Sequence, residues 1–313
     1  MYQFVLRRLI LSVPTLLIVS FLIFGMIRLN PDSVVAARLG EGFTPEQAEI
    51  IKHEYGLDRP LPVEYVRWLG RVVRGDWGES AYTYRPVLRE MGPKIGVTLE
   101  LAVLAVIFAV ILGIPIGVFS AMRQDQWPDY VLRSGAIFGL AVPGFYIATI
   151  VLAILARNWG WIPSIRYHSL RSDPIANLQQ MWIPALILSL ATAASVTRYA
   201  RTMMLDVLRQ DYIRTAWAKG LRERDVINRH ALKNALLPVI TVIGLTMAGL
   251  VGGTVIFESL FSLPGLGTYL VRGVQQKDFA VVQGVALFFS CAVVVINLVV
   301  DVSYTILDPR ARV

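Results

Sequence analysis

The chain has 313 residues, 55% of them hydrophobic and 17% charged, and its mean hydropathy is +0.57. Soluble domains carry about 25% charged residues, so this composition excludes an ordinary water-soluble globule and implies a surface solvated by lipid. The net charge of +8 does not point to nucleic acid as a partner. No basic run is interleaved with stacking aromatics, and much of the excess lies beside apolar spans, where anionic inner-leaflet lipid attracts it.

A helix crossing about 30 Å of hydrocarbon needs roughly 20 mostly apolar residues. The first such stretch is Leu9–Ile27, preceded by Arg7 and Arg8 and containing Pro14. It is longer than the roughly 7–15 residues of a signal-peptide core, and Arg28 and Asp32 part it from the cleavage-like Val35-Ala36-Ala37. It reads as a retained span. Residues 30–96 then have globular composition. Thr44-Pro45-Glu46-Gln47 forms the pattern of a capping box, opening a helix that should stop at Gly56. A second helix starts near Pro62, with Tyr65 or Val66, Leu69 and Val73 on one face, and Arg74-Gly75-Asp76-Trp77-Gly78 turns the chain back. With its charges nearly balanced, this segment reads as a small extracytoplasmic cap.

Five further stretches qualify as spans: Val97–Ser120, Val131–Ala156, Trp182–Tyr199, Leu236–Phe257 and Val281–Leu307. The glycines and prolines inside them, Pro143 and Gly144 included, are tolerated in membrane helices as kinks or close contacts. The predicted fold is therefore all-α and integral to the membrane. Its parts are a first helix (1–29), a cap (30–96) and a five-helix core (97–313).

Between about 200 and 235 lies a basic loop holding Arg201, Arg209, Arg214, Lys219, Arg222, Arg224, Arg229 and Lys233. By the positive-inside rule it is cytoplasmic, as Arg7 and Arg8 place the N-terminus. Six spans reconcile the two, with Arg310 and Arg312 inside at the far end. Arg157, Arg166 and Arg171 in the shorter outer loops run against the rule, so the first helix and the large loop decide the orientation.

Catalytic patterns are missing. There is no Gly-x-x-x-x-Gly-Lys-Ser/Thr phosphate cradle, no His-Glu-x-x-His and no Gly-x-Ser-x-Gly. His53, His168 and His230 lack metal-ligand spacing, and the single cysteine, Cys291, sits in an apolar run as a packing residue. Neither a metal nor a cofactor is expected on this chain.

The informative segment is Asp211-Tyr212-Ile213-Arg214-Thr215-Ala216-Trp217-Ala218-Lys219-Gly220. Asp211 suits an N-cap and Gly220 the position after the helix, leaving two turns between them. So short a helix is marginal alone in water and must dock against something. On these residues it is either a surface turn between helices or a docking element, with Tyr212 and Trp217 as anchors and Ala216 and Ala218 as small contacts.

From Arg214 to Pro238 the chain resembles the cytoplasmic motif of ABC-importer permeases. Arg214-Thr215-Ala216 stands where Glu-Ala-Ala would, Gly220 matches, and Leu237-Pro238 closes the motif. The long gap between Gly220 and Pro238 is the form found in the dipeptide/oligopeptide/nickel branch. The resemblance extends to Arg7-Arg8 with Pro14, Gly113-Ile114-Pro115-Ile116-Gly117, Trp161-Ile162-Pro163, the Glu258–Gly267 segment and Leu307-Asp308-Pro309-Arg310.

That resemblance implies a permease subunit importing small peptides or related solutes. Asp211, Tyr212, Thr215, Ala216, Lys219 and Gly220 would form a coupling helix seated in an ATPase subunit. It implies two ATP-binding cassette subunits carrying ATP and Mg, a second homologous permease, and an extracytoplasmic substrate-binding protein. An ion-gradient-driven secondary transporter working without ATPases is the alternative; inverted repeats and unwound mid-span segments would favour it. Two polar sets complete the candidates. Glu258, Phe261, Pro264 and Gly265 form an outer gate or a simple loop. Asn297 and Asp301, one turn apart in the sixth span, either line the pore or serve a helix–helix or interfacial role.

Overall fold

A computed structural model of the chain describes residues 2–28, 32, 35–36, 39–40, 42–54 and 56–307. Arg310 and Arg312, and most of the terminal Leu307–Arg310 motif, lie outside the described residues. In chain order the helices are α1 (Tyr2–Arg28), α2 (Pro45–Glu54), α3 (Leu61–Val73), α4 (Val87–Met122), α5 (Trp127–Ala141), α6 (Gly144–Trp159), α7 (Pro174–Leu208) and α8 (Asp211–Ala218). A turn at Glu223–Asp225 and a π-helical turn at Val226–Ala231 lead into α9 (Leu232–Leu260), followed by α10 (Leu266–Gln275) and α11 (Phe279–Leu307).

Among the described residues, five helical stretches are long and apolar enough to cross a membrane: Leu6–Met26, Val87–Met122, Pro174–Leu208, Glu223–Leu260 and Phe279–Ser303. The sixth expected span, Val131–Ala156, is not one straight helix. It is the α5–α6 pair, bent by 97°. Pro143 is the cause. It has no N–H to continue the ladder and forces the residue before it out of the helical region. Val142 is extended (φ −92, ψ 123), and Pro143 follows at φ −58, ψ 131.

The second span also differs. α4 begins at Val87, inside the stretch assigned to the cap, and its 36 residues extend about 54 Å. The helix runs through Gly92, Pro93 and Gly96.

Contacts divide the chain into two units. One comprises Leu99–Ser262 with Ile296–Val313; the other comprises Tyr2–Thr98 with Leu263–Val295. In the first, α7 is the central helix, with many buried positions from Asn177 to Met204. α4 approaches it so closely that a Cβ on Gly117 would stand 2.6 Å from the Thr197 carbonyl oxygen and 2.7 Å from the Ala200 Cβ. Only glycine permits that approach.

In the second unit the expected capping box is present. The Gln47 amide N–H donates to Thr44 Oγ1 (3.3 Å), and the Thr44 N–H donates to Gln47 Oε1 (3.0 Å). α2 ends before Gly56, which adopts φ +61. On α3 the buried face carries Tyr65, Trp68, Leu69 and Val72. Val66, the alternative to Tyr65, is exposed, and so is Val73, which the sequence places on the same face as Leu69; Val72 takes its position instead. Tyr65 and Trp68 pack on Phe24 of α1, and the Tyr65 hydroxyl lies 2.8 Å from Ser20 Oγ. The buried Glu64 carboxylate is surrounded by Arg59, Arg67 and Arg71 at 3.2, 3.8 and 3.6 Å.

Candidate coupling and translocation elements

α8 is an eight-residue helix, one residue out of register with the expected two-turn helix. Asp211 is its first helical residue, not its cap. The capping position belongs to Gln210, which makes no side-chain capping bond. Asp211 instead places negative charge in the first turn, where the helix dipole favours it, and faces Arg214 at 3.4 Å. The C-terminal end follows expectation. The N–H of Gly220 donates to Trp217 O (2.9 Å) and that of Leu221 to Ala216 O (3.4 Å), with Gly220 at φ +73. This is the Schellman arrangement, which requires a left-handed residue at that position.

The faces of α8 are unequal. Ile213 is fully buried and Ala216 is 6% exposed. Both belong to an apolar cluster with Ala121 at the end of α4, Met204 of α7, Val226, Ile227 and Ala231 of the π-helical turn, and Ala235 of α9. The expectation that Ala216 offers a small contact to a partner is therefore corrected: its side chain is covered by this chain. Tyr212, Arg214, Thr215, Trp217 and Lys219 remain exposed. The Tyr212 hydroxyl also accepts from Asn234 Nδ2 at 3.0 Å, tying the exposed face to α9. Ile213 and Asn234 escaped the sequence reading. The first could have been found from its i,i+3 spacing to Ala216; nothing in the sequence signals the second.

A second unpredicted feature is an ion pair joining α5 to α7. Asp129 is fully buried. Its Oδ1 and Oδ2 accept from Arg201 Nε (2.8 Å) and Nη2 (2.7 Å), from the Ser120 hydroxyl, and from the Asp125 N–H (3.1 Å). The carboxylate is thereby satisfied by four donors. Arg201, counted in the sequence as one more basic loop residue, lies inside α7 about two turns before its end. A third feature joins α4, the 160–173 loop and α7. The Tyr167 hydroxyl donates to Glu100 Oε2 at 2.8 Å, and Asn177 Nδ2 donates to the His168 carbonyl at 2.9 Å. Burial of the Tyr167 hydroxyl, and then the Glu100 carboxylate beside it, raise its pKa above the ordinary tyrosine value.

The break between α5 and α6 opens a cleft of about 450 Å³ walled by these helices with α7 and α9. Its lining includes Gly144, Phe145, Thr192, Ser195, Thr246 and Phe257, and no charged side chain. Neither Asn297 nor Asp301 lines it; Asn297 is exposed and Asp301 half-buried on α11. The gate candidates divide between the units. Glu258 and Phe261 are buried at the end of α9, with the Phe261 ring stacked on Phe257 at 6.4 Å. Pro264 is exposed and Gly265 buried at the start of α10, where the Leu266 N–H donates to Thr98 Oγ1 at 2.8 Å. α10 itself was missed, though Leu266, Tyr269, Leu270 and Gly273 carry the helical i,i+3,i+4,i+7 spacing.

Comparison with known proteins agrees with this architecture. Residues 113–313 match the family described as binding-protein-dependent transport system inner membrane component, and residues 1–89 match its N-terminal counterpart. A Brucella abortus protein whose name assigns it to a peptide transport system as a permease is 38% identical over 312 residues, covering 100% of this chain and 99% of that one. A glutathione transport system permease protein of Salmonella paratyphi A is 36% identical over 312 residues, with the same coverage. Among solved structures, the MetNI methionine ABC transporter in an inward-facing conformation superposes with a TM-score of 0.56. It covers 70% of this chain and 96% of its own at 16% identity, a likeness of fold. The broken α5–α6 pair is a feature that the ion-gradient alternative would use, but the family match removes that alternative. The chain is a multi-pass inner membrane protein of the binding-protein-dependent transport system inner membrane component family, the permease subunits of ABC importers.

Proposed function

We propose that this permease forms half of a path for small peptides or related solutes, and that α8 is the joint through which ATPase subunits drive it. The observation that carries the coupling role is the division of α8 into two faces. Ile213 and Ala216 seat it on the ends of α4, α7 and α9, while Tyr212, Arg214, Trp217 and Lys219 leave aromatic and basic side chains exposed. A helix held on one side transmits a displacement as a rigid body; a loop would absorb it. The peptide class is supported by relatives matching the whole chain at 36–38% identity. The assembly would contain two ATP-binding cassette subunits holding ATP and Mg, a second homologous permease and an extracytoplasmic binding protein. The N-terminus and the 200–235 loop would be cytoplasmic, and the 30–96 segment outside.

The test separates the two faces. Trp217→Ala should leave the purified chain as stable as wild type while ATPase capture in pull-downs and ATP-driven uptake of a tripeptide into proteoliposomes are lost. Ala216→Leu should destabilise the chain itself by about 1–3 kcal/mol through overpacking. Normal capture and uptake with Trp217→Ala and Tyr212→Ala together would reduce α8 to a surface turn.

A further inference from the structure

The break in the α5–α6 pair does more than bend the chain. Pro143 has no N–H, and the N–H groups of Tyr146 and Ile147 turn back to the Pro143 carbonyl at 3.0 and 3.3 Å. This leaves the N–H groups of Gly144 and Phe145, the first two of the 16-residue helix α6, with no acceptor among the described residues and no side-chain cap. Both residues line the 450 Å³ cleft. An uncapped helix N-terminus carries roughly half a positive charge, and no charged side chain in the lining compensates it.

The facing wall supplies an independent observation. Thr192 of α7 is 7% exposed and lines the same cleft, and its hydroxyl makes no hydrogen bond among the described residues. Ser195, one turn further on the same face, is half-buried and equally without a partner. Among the neighbouring hydroxyls, Thr197 is likewise without a partner among the described residues, whereas three others bond back to their own helix. Ser189 bonds back to Leu186 O at 2.6 Å, Thr246 to Ile243 O at 2.8 Å, and Thr254 to Val251 O at 2.9 Å. Polar groups in a low-dielectric wall are ordinarily satisfied. Residues that carry these donors, from α6 and from α7, line one cavity, and no charged side chain is among its lining residues.

The geometry points to a transient carboxylate subsite in this cleft. The α6 N-terminus and the Thr192 and Ser195 hydroxyls would receive the C-terminal carboxylate of a short peptide as it passes. The inference rests on the importer reading and deepens it. Helix N-termini bind anions through free N–H groups and the dipole together. The absence of a lysine or arginine keeps the stop weak, as a path requires if the solute is to leave.

The test uses the full chain in membranes with its partner subunits, in a Cys291→Ser background carrying Thr192→Cys or Ser195→Cys. The probes are an anionic methanethiosulfonate (the sulfonatoethyl reagent) and a cationic one (the trimethylammonioethyl reagent). Each rate is divided by the same reagent's rate with 2-mercaptoethanol. A lowered thiol pKa speeds both reagents alike and cancels in the ratio. The anionic reagent is expected to be favoured by about tenfold. That preference should fall in Phe145→Pro, which removes one N–H in a first turn that tolerates proline, and persist in Phe145→Ala. A ratio at or below one, equal ratios in the proline and alanine variants, or no modification at either cysteine would overturn the subsite. Because the ratio is read without transport, such a failure leaves the importer reading intact, whereas failure to capture ATPase subunits would remove that reading and not the measured anion preference.

Discussion

Replacing Arg201 by methionine tests how α5 is fastened to α7. The methionine keeps an unbranched stem of similar reach and deletes the guanidinium. Asp129 then remains fully buried with two donors, the Ser120 hydroxyl and the Asp125 N–H, in place of four. Breaking a buried pair by removing one partner costs about 3–5 kcal/mol; the two surviving donors set the expectation near the lower end, about 3 kcal/mol. Asp129→Leu should cost less, because Arg201 is 17% exposed and can turn toward water. The double variant should recover most of the loss, since replacing both members with apolar groups is often close to neutral. Equilibrium unfolding in mixed micelles by SDS titration, read by tryptophan fluorescence, gives the four corners of the cycle. A coupling of about 2 kcal/mol or more is expected. Additive losses, or a neutral Arg201→Met, would show that the pair carries no such constraint and refute the reasoning.

Gly117→Ala should destabilise the chain by about 1–3 kcal/mol in the same titration, because its Cβ would press on the Thr197 carbonyl oxygen and the Ala200 Cβ; an unchanged midpoint would contradict the close approach of α4 and α7. Gly220→Val should add about 1 kcal/mol or more of backbone strain at φ +73, with stimulated ATP hydrolysis falling more than the folded fraction, and wild-type stimulation would argue against a rigid joint. Single cysteines at Glu49 and Glu223, both exposed, should be labelled from opposite sides of intact membrane in a Cys291→Ser background; labelling from one side would defeat the six-span orientation. Tyr167 has a pKa raised by burial and by Glu100, so the folded state holds its proton where the unfolded chain has lost it, and its contribution is complete below the unfolded value and declines as pH rises above about 10. Wild type should therefore lose stability above that pH more steeply than Tyr167→Phe, and parallel curves would contradict the assignment.

What the sequence discloses is mostly what short-range chemistry decides. The Thr44–Gln47 box and the Gly220 turn need only a few neighbouring residues, and both are found as the pattern predicts. The apolar stretches were equally legible, because lipid imposes their length. The failures have longer range. Pro143 and Gly144 were visible, but whether a proline kinks a span or breaks it by 97° depends on the helices around it. Asp129 and Arg201 stand 72 residues apart, and nothing local says that a basic loop residue turns inward. Ala216 was assigned to the wrong face because the partners that cover it come from α4, α7 and the π-helical turn. Within α8 the sequence offers small, aromatic and basic residues without saying which of them the chain keeps for itself.

That assignment of faces bears on how force would pass. α8 follows α7 after only Arg209 and Gln210, and its buried side rests on Met204 of α7 and on Val226, Ile227 and Ala231 of the π-helical turn that leads into α9. A push on Tyr212 or Trp217 therefore meets the ends of two long helices, and both of these helices wall the cleft at the α5–α6 break. The π-helical turn sits at this contact. Its extra residue is a departure from regular helix that recurs at functional sites, and here it carries Val226 and Ile227 onto α8. The Asp129–Arg201 pair then ties α5 to the same end of α7. Displacement of α7 would carry α5 with it, while α6, separated by two extended residues at Val142 and Pro143, packs on α7 and α9 without an ion pair of this kind among the described residues. A cleft whose two halves are fastened unequally can change shape under a rigid push, which a single straight span through the same positions could not provide.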